Sequence, residues 1–514
     1  MFIIVFIFTL LISTTAFGND TGEPLAGLDA YIENGMDDWQ IPGLAVAIVK
    51  DDEIVYAKGF GNRKLGEAEP VDEHTLFGIA SLTKAFTTAA IGILVEEGKL
   101  EWNDPVVKYL PDFRLYYPWM THEITVHDLL IHRSGLGRMI GNRLQFMTGK
   151  GPDELTYRLR YLEPMAGFRA EYIYNNMMYM VAGQVIEAVS GQRWDEFVAE
   201  RIFEPLGMER SNLSIYDLDG EENAAWPHQY IKGEVQVIPR RDFDNAGSAA
   251  SINSSVYELA QWMRLHLEDP GSYDGTQVID TTTMRMVHRP QSVIPVTDPS
   301  TEFAAYGLGW GVRLYNDRII SRHSGATDGM NSIIVLVHEE NLGIVVVTNI
   351  FNDFKNALVN HVIDSFLGVP DEKDWHEKYL TEYEEEYKQV QQRREEIHNA
   401  RVKNTQPSLP VSARSGRYYD SLYGEVTLSV QDDNMYITFW DDESLVADLE
   451  HWHYDTYRAV WRNPAQREKF IWFDMDKTGE TAVLNVEFNL RPELLQVGAY
   501  PSNYTRTVRF KKEN

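Results

Sequence analysis

The 514-residue chain contains no cysteine. This excludes a disulfide framework, a thiolate nucleophile and thiolate zinc or iron–sulfur sites, so any metal would rest on histidine and carboxylate alone. Basic residues are scarce: 47 Lys and Arg face 77 Asp and Glu, a net charge of −30. Nucleic-acid phosphate and anionic membrane surfaces repel such a chain, and the acidity serves solubility. Beyond the amino terminus no apolar run approaches the roughly 20 residues of a bilayer span. There is no internal repeat. No G-x-S-x-G elbow, Walker loop or H-E-x-x-H pair occurs, which removes support for nucleotide-dependent and zinc-hydrolase chemistry.

With 44% hydrophobic and 24% charged residues, the chain has the means for an ordinary buried core. Phe2–Ile12 is almost wholly apolar, and Ala16 and Gly18 follow as small residues. Residues 1–18 read as an export signal cleaved after Gly18, although no Lys or Arg precedes the run. The expectation is an exported protein, periplasmic or secreted, with an amino-terminal membrane anchor as the alternative.

Residues 44–61 hold two β-rich runs around Lys50-Asp51-Asp52-Glu53, a hairpin signal. From Ser81 the apolar period becomes helical as far as Gly98, and 124–136, 177–191 and 255–267 read as further helices, the last capped by Ser254 or Ser255. Strands return near 306 and continue through 330–350, with a Glu-Glu-Asn turn inside. Beginning and ending in strand lets both ends complete one antiparallel sheet flanked by helices. Residues 371–405 are charged and read as a solvated helical linker. Residues 406–514 carry short, closely spaced β signals, an all-β second domain.

Three motifs carry chemistry. Ser81-Leu82-Thr83-Lys84 is the only S-x-x-K. At a helix start its hydroxyl and amine share a face, the amine can take the serine proton, and free N–H groups can face a developing oxyanion. The alternative is a surface pair, but FGIA and AFTTAAIGIL flank the motif and bury it. Tyr174-Asn175-Asn176 is the only Y-x-N. Its phenol can shuttle a proton and Asn176 can hold a substrate amide or carbonyl; alternatively Tyr174 is a surface residue and Asn176 a helix N-cap. His323-Ser324-Gly325 is the only H-x-G. It reads as a polar residue at a strand edge followed by a glycine for close approach, or as an ordinary turn histidine.

In this order the three motifs resemble the serine beta-lactamase and penicillin-binding-protein superfamily. The likeness is to its class C-like branch of D-amino-acid peptidases, D-alanyl-D-alanine carboxypeptidases and esterases. It continues in PGLAVAIVKDDEIVYAKGFGNR from Pro42, LLIHRSGL at 129–136, AGSAAS at 246–251 and YGLGWGV before His323. The resemblance implies Ser81 as acylated nucleophile, Lys84 as its base, Tyr174 as second proton-transfer residue and Asn176 as substrate-orienting amide. His323 and Gly325 then stand for the third motif, and the N–H groups of Ser81 and Ala326 for the oxyanion hole. A neutral His323 in place of the motif's usual lysine weakens the anchor for a substrate carboxylate and argues against efficient beta-lactam hydrolysis. The carboxyl-terminal region resembles a lipocalin-like β-domain, a likeness carried by LEHWHYDTYRAVW at 449–461. There His451 and His453 share a strand face, but no third ligand accompanies them and hydrogen bonding is the expected role.

The expected fold is α+β: an antiparallel sheet flanked by helices with a largely helical second lobe (24–368), a linker (371–405) and a barrel-like β-domain (406–514). The expected function is acyl-enzyme hydrolysis of amides or esters, of small peptides with D-residues or cell-wall peptides. A carboxylesterase and a catalytically silent penicillin-binding sensor are the alternatives. The reading implies no cofactor or metal, no nucleic acid, and no strong membrane association once the signal is removed. Any homo-oligomer would form through the β-domain.

Overall fold

A computed structural model describes residues 24–513 except 138–140, 148, 297–302, 370–372, 433, 465, 467 and 489–505. The expected export signal lies outside the described residues. Among those described, no helix is long and apolar enough to cross a membrane.

The hairpin forms as β1 (Gly43–Lys50) and β2 (Glu53–Gly61). Asp51 and Asp52 take φ of 51° and 64° in its turn, the left-handed pair that matches the twist of the flanking strands. A short pair follows, β3 (Phe77–Gly78) with β4 (Asn253–Ser254). The rest of the main sheet comes from later in the chain: β5 (Ser292–Val293), β6 (Ala304–Tyr306), β7 (Gly311–Tyr315), β8 (Arg318–Thr327), β9 (Met330–Val337) and β10 (Leu342–Thr348). The sheet is eight-stranded and antiparallel, ordered β2-β1-β10-β9-β8-β7-β6-β5. β1 pairs with β10, Leu44 opposite Thr348, so the two ends of the domain meet in mid-sheet.

Both faces of that sheet are covered, which explains the unbroken apolar runs of β1, β9 and β10. Leu44, Val46 and Ile48 point into one core, with α1 (Leu28–Trp39) against it; Ala45, Ala47 and Val49 point into the other, beneath the helical lobe. That lobe contains α2 (Thr83–Glu96), α3 (Val126–Leu130), α4 (Pro152–Arg158), α5 (Asn176–Ser190), α6 (Val256–His266) and α7 (Thr281–Val287). Of the 14 residues of α2, 12 are buried. Ser255 caps α6 by accepting the Glu258 N–H, and Gly191, at φ 77°, ends α5, as expected of an N-cap serine and a C-terminal glycine.

The helix expected across 124–136 is short, ending at Leu130. His132 turns left-handed at φ 58°, and its Nδ1 accepts the Asn175 N–H at 3.1 Å. The chain there bonds to the 174–176 loop, which competes with a further helical turn.

Two helices follow the sheet, α8 (Phe354–Leu367) and α9 (Trp375–Asn399). The charged connector is not a free linker. At its start Trp375 donates to Asp364 at 2.7 Å, and at its end Arg394 and His398 meet Glu468, each at 3.1 Å. The last domain is a closed antiparallel barrel of β11 (Gly416–Asp420), β12 (Gly424–Gln431), β13 (Asn434–Phe439), β14 (Val446–His453), β15 (Thr456–Trp461), β16 (Lys469–Met475), β17 (Thr481–Phe488) and β18 (Arg506–Lys512). β18 returns to β11, Lys512 opposite Tyr418. Inward residues such as Tyr418, Ile437, Ala459 and Phe510 are buried, as in small barrels filled by their own side chains.

Three histidines meet under the sheet. Buried His266 faces His288 with 2.9 Å between Nδ1 and Nε2, and the His338 ring lies 4.5 Å from His288. Burial holds His266 and His288 well below the usual imidazole range and His338 at about 4. The folded state therefore keeps them neutral, while the unfolded chain takes up protons below about pH 6.5. Stability is complete above that pH and falls as pH drops, by about 1.4 kcal/mol per pH unit for each proton only the unfolded chain binds. Thermal melts from pH 7.5 to 5 should show a falling Tm, with a smaller fall in His338→Gln.

Candidate active site

Ser81 sits on a turn under strain. Ala80, just before it, has φ 51°, a left-handed conformation that costs a non-glycine residue roughly 1–3 kcal/mol. Neighbouring bonds hold it there. Ile79 donates its N–H to the Ile252 carbonyl at 2.9 Å, and its own carbonyl accepts from Ser332 Oγ at 2.8 Å. β8 presses on the same turn: a Cβ at Gly325 would lie 2.1 Å from the Ile79 oxygen and 3.1 Å from Ala80 Cβ. Gly325 is thus a glycine because the strand and the serine turn touch there.

Ser81 leads directly into α2, which starts at Thr83. Lys84, one turn on, is wholly buried. Its Nζ donates to Ser81 Oγ at 3.0 Å and to the Ala249 carbonyl at 2.8 Å. It also lies 4.9 Å from the Tyr174 ring centre and 5.4 Å from that of Tyr179, where ring faces favour a cation. The carbonyl comes from the AGSAAS segment.

Tyr174 stacks obliquely on His132 at 4.2 Å, and its ring lies 6.3 Å from His323. The N-cap of α5 is Asn175, which accepts the Met177 N–H at 2.9 Å; Asn176 does not serve as that cap. Asn176 instead gives its backbone N–H to Asn142 Oδ1 at 2.7 Å and its side-chain Nδ2 to Gln145 Oε1 at 3.0 Å. Its Oδ1 is buried with no donor among the described residues. A buried acceptor without a donor is uncommon in a folded protein.

β8 pairs with β9 through His323, but its pairing with β7 ends at Arg322, opposite Gly311, so His323 lies just past the end of β7. From His323 to Thr327 β8 has a ladder partner on the β9 side only, in keeping with the strand-edge reading of this segment. Its Nδ1 faces the Ser324 carbonyl at 2.9 Å and its Nε2 the Tyr306 hydroxyl at 3.0 Å. A carbonyl only accepts, so Nδ1 carries the proton and Nε2 accepts from Tyr306. Burial, and then the charge of Lys84, pushes His323 down to about 3, so the ring is neutral at ordinary pH. Ala326, two residues beyond Ser324, is exposed.

The structure brings Ser81, Lys84, Tyr174, His323 and Gly325 together. It adds partners that no motif marked: Tyr306 for His323, Asn142 and Gln145 for Asn176, and Ser332 for the serine turn. Tyr306 stood within YGLGWGV, but nothing local signalled its bond; Asn142 and Gln145 sit in a polar loop with no pattern at all. A literal K-T-G, Lys477–Gly479, occurs in the barrel, where it forms the turn between β16 and β17 with Asp476 capping Thr478. Ser251 and Asn253 make structural bonds to the Leu213 and Ser214 carbonyls. A bulge separates His451 from His453; the first bonds the Tyr454 carbonyl at 2.9 Å and the second accepts from Val402 N–H at 3.3 Å. Among the described residues no group of three His, Asp or Glu is placed to hold a metal.

The fold, an α+β domain with the serine turn between sheet and helical lobe, is that of the beta-lactamase and transpeptidase-like hydrolases. Residues 28–366 match the model of the Beta-lactamase family, and the chain belongs to that family. Residues 400–497 match a domain of unknown function, DUF3471. The chain is 29% identical to the unguisins hydrolase ungD' of Aspergillus campestris over 499 residues, covering 92% of this chain and 89% of that one. In fold it is similar to an octameric penicillin-binding protein homologue from Pyrococcus abyssi (TM-score 0.60, 22% identity, covering 95% of this chain and all of the other). It is also similar to a D-stereospecific amidohydrolase from Streptomyces (TM-score 0.53, 20% identity, 66% of this chain and 97% of the other).

Gly325→Ala should destabilise the protein by about 1–3 kcal/mol, because the methyl group must displace the Ile79 backbone. Gly149→Ala, where nothing lies within 4 Å, should leave the midpoint nearly unchanged. Urea unfolding of both variants checks this.

Proposed function

We propose that the protein is an exported serine hydrolase that forms an acyl-enzyme on Ser81 and cleaves amide or ester bonds, of small peptides containing D-residues or of cell-wall peptides. The observation that carries the reading is the 3.0 Å contact of buried Lys84 Nζ with Ser81 Oγ at the start of a helix. A serine hydroxyl is a weak nucleophile until a neighbouring base takes its proton. In the neutral form Lys84 is that base. Ser81 Oγ attacks the substrate carbonyl carbon and its proton passes to Nζ. The carbonyl oxygen becomes an oxyanion facing the N–H groups of Ser81 and Ala326. The carbon–nitrogen or carbon–oxygen bond then breaks, with Tyr174 delivering the leaving group's proton and recovering one from Lys84, which is neutral again for the second half. Water repeats the sequence on the ester and frees Ser81.

The names of the relatives support this substrate class: a hydrolase of unguisins and a D-stereospecific amidohydrolase. The octameric state of the Pyrococcus homologue supports self-association of this chain. Neutral His323 supplies no cation for a terminal carboxylate. The favoured substrates are therefore amides and esters whose leaving side is uncharged. A carboxylesterase would use the same groups, and a panel of D-peptide amides and simple esters separates the two.

Treatment with a fluorophosphonate or a fluorescent penicillin, then peptide mapping, should place the label on Ser81. Ser81→Ala should keep its fold and lose at least about 10⁴-fold in turnover, the scale for removing a nucleophile. Activity retained in that variant sinks the assignment. Among D-peptide substrates, carboxyl-terminal amides should be cleaved at least as efficiently as the free acids; a strong preference in kcat/KM for the free acid would contradict the neutral His323.

A further inference from the structure

The barrel meets the helical lobe at its β11–β12 turn. The β11–β12 turn is stiffened by Asp420, whose carboxylate accepts the N–H groups of Leu422 and Tyr423, both at 2.9 Å. Trp440 Nε1 donates to the Tyr423 carbonyl. Leu422 and Tyr423 are buried and belong to one apolar cluster with Leu144, Met147 and Leu155 of the helical lobe. Arg158, at the end of α4, is buried as well. Its Nη1 donates to the Ser421 carbonyl at 3.1 Å and the Leu422 carbonyl at 3.2 Å, while Nε is held by Glu154 at 2.8 Å. Gly424 ends the turn at φ 74°, and a Cβ there would lie 3.3 Å from the guanidinium and 3.4 Å from Met147 Cε.

Met147 closes the short 141–147 segment. Its N–H bonds the Leu144 carbonyl at 3.0 Å, and its carbonyl accepts from Asn245 at 3.0 Å. From the same segment Asn142 and Gln145 hold Asn176 by its backbone N–H and its side-chain amide. The path therefore runs from the barrel turn, through Arg158 and Met147, to the two side chains that aim Asn176 and leave its Oδ1 without a donor among the described residues.

We propose that the carboxyl-terminal barrel is a working part of the active site: its 421–424 turn, clamped by Arg158, braces segment 141–147 and so positions Asn176 to accept the N–H of an amide substrate. Arg158 and Leu422 are positioning residues. The inference rests on the proposed hydrolase reading for its substrate, but the bracing itself does not depend on turnover. Two carbonyls of one turn captured by a single buried guanidinium define the place of the turn more sharply than apolar contact alone, because hydrogen bonds weaken steeply with angle and distance. A displacement of about 1 Å in a substrate-orienting group can cost on the order of 10²-fold in rate. An ester offers no N–H at the scissile position, so it escapes most of that loss.

The test uses the full-length protein and the variants Arg158→Met, Arg158→Lys and Leu422→Ala, with near-ultraviolet circular dichroism to show that each is folded. Hydrogen exchange of the Asn176 N–H, the proton held by Asn142, should be at least about tenfold faster in Arg158→Met and Leu422→Ala, and nearer the parent in Arg158→Lys, which keeps a donor. Turnover is then compared on D-alanyl-D-alanine amide and on p-nitrophenyl acetate. In Arg158→Met, kcat/KM for the amide should fall about 10–100-fold and for the ester less than about threefold. Unchanged exchange at Asn176 in folded variants overturns the bracing whatever the activity. Faster exchange with equal losses on amide and ester overturns the role given to Asn176. If the parent turns over neither substrate and fluorophosphonate leaves Ser81 unlabelled, the hydrolase reading fails, and the exchange result still decides whether the barrel braces the segment.

Discussion

The burial of one amine organises this molecule. Lys84 lies entirely inside the protein, and a buried amine is costly unless its hydrogen bonds are made. Ser81 supplies one acceptor and the Ala249 carbonyl another. Those two bonds demand that α2, the serine turn and the 246–251 segment converge on one point, and the rings of Tyr174 and Tyr179 close around it. The charge of Lys84 also helps to keep His323 neutral. A change at this amine would be felt in the position of the nucleophile, the state of the histidine and the packing of three separate chain segments.

The sheet makes that convergence rigid. β1 sits between β2 and β10, so residues about 300 apart in sequence are neighbours in the same ladder. β8, held by β9 through Gly325 opposite Ser332, brings Gly325 against the Ile79–Ala80 backbone. The left-handed Ala80 persists because the ladder on one side and the Ser332 and Ile252 bonds on the other leave it no alternative. Local strain of this kind is tolerated where the surrounding structure over-determines it.

Much of this could be read before any coordinates. The hairpin of β1 and β2, α2 just after the serine, α5 ended by Gly191 and α6 capped by Ser255 all follow local rules of turn, period and cap. The meeting of the chain's strands in one antiparallel sheet followed from their order. Where local signals misled, a long-range bond had intervened: 124–136 looks helical throughout, but His132 and Asn175 bond each other and end the helix at Leu130. The connector is the solvated helix its charges indicate, with Trp375 alone buried, and its packing rests on a few residues, Trp375 and His398 among them, that its composition hides.

By itself the sequence determined the chemistry on offer. With no cysteine, one S-x-x-K, one Y-x-N and one H-x-G in order, it named the residue types and their spacing, because a nucleophile and its base must be adjacent on a helix and adjacency of that kind is local. Only the tertiary structure decided what holds them. Tyr306 reaches His323, Asn142 and Gln145 reach Asn176, and the barrel turn reaches Arg158 by folding, across separations no local pattern records. The protonation state of His323 is likewise a property of burial and of a neighbouring charge, which exist only once the chain has closed around them.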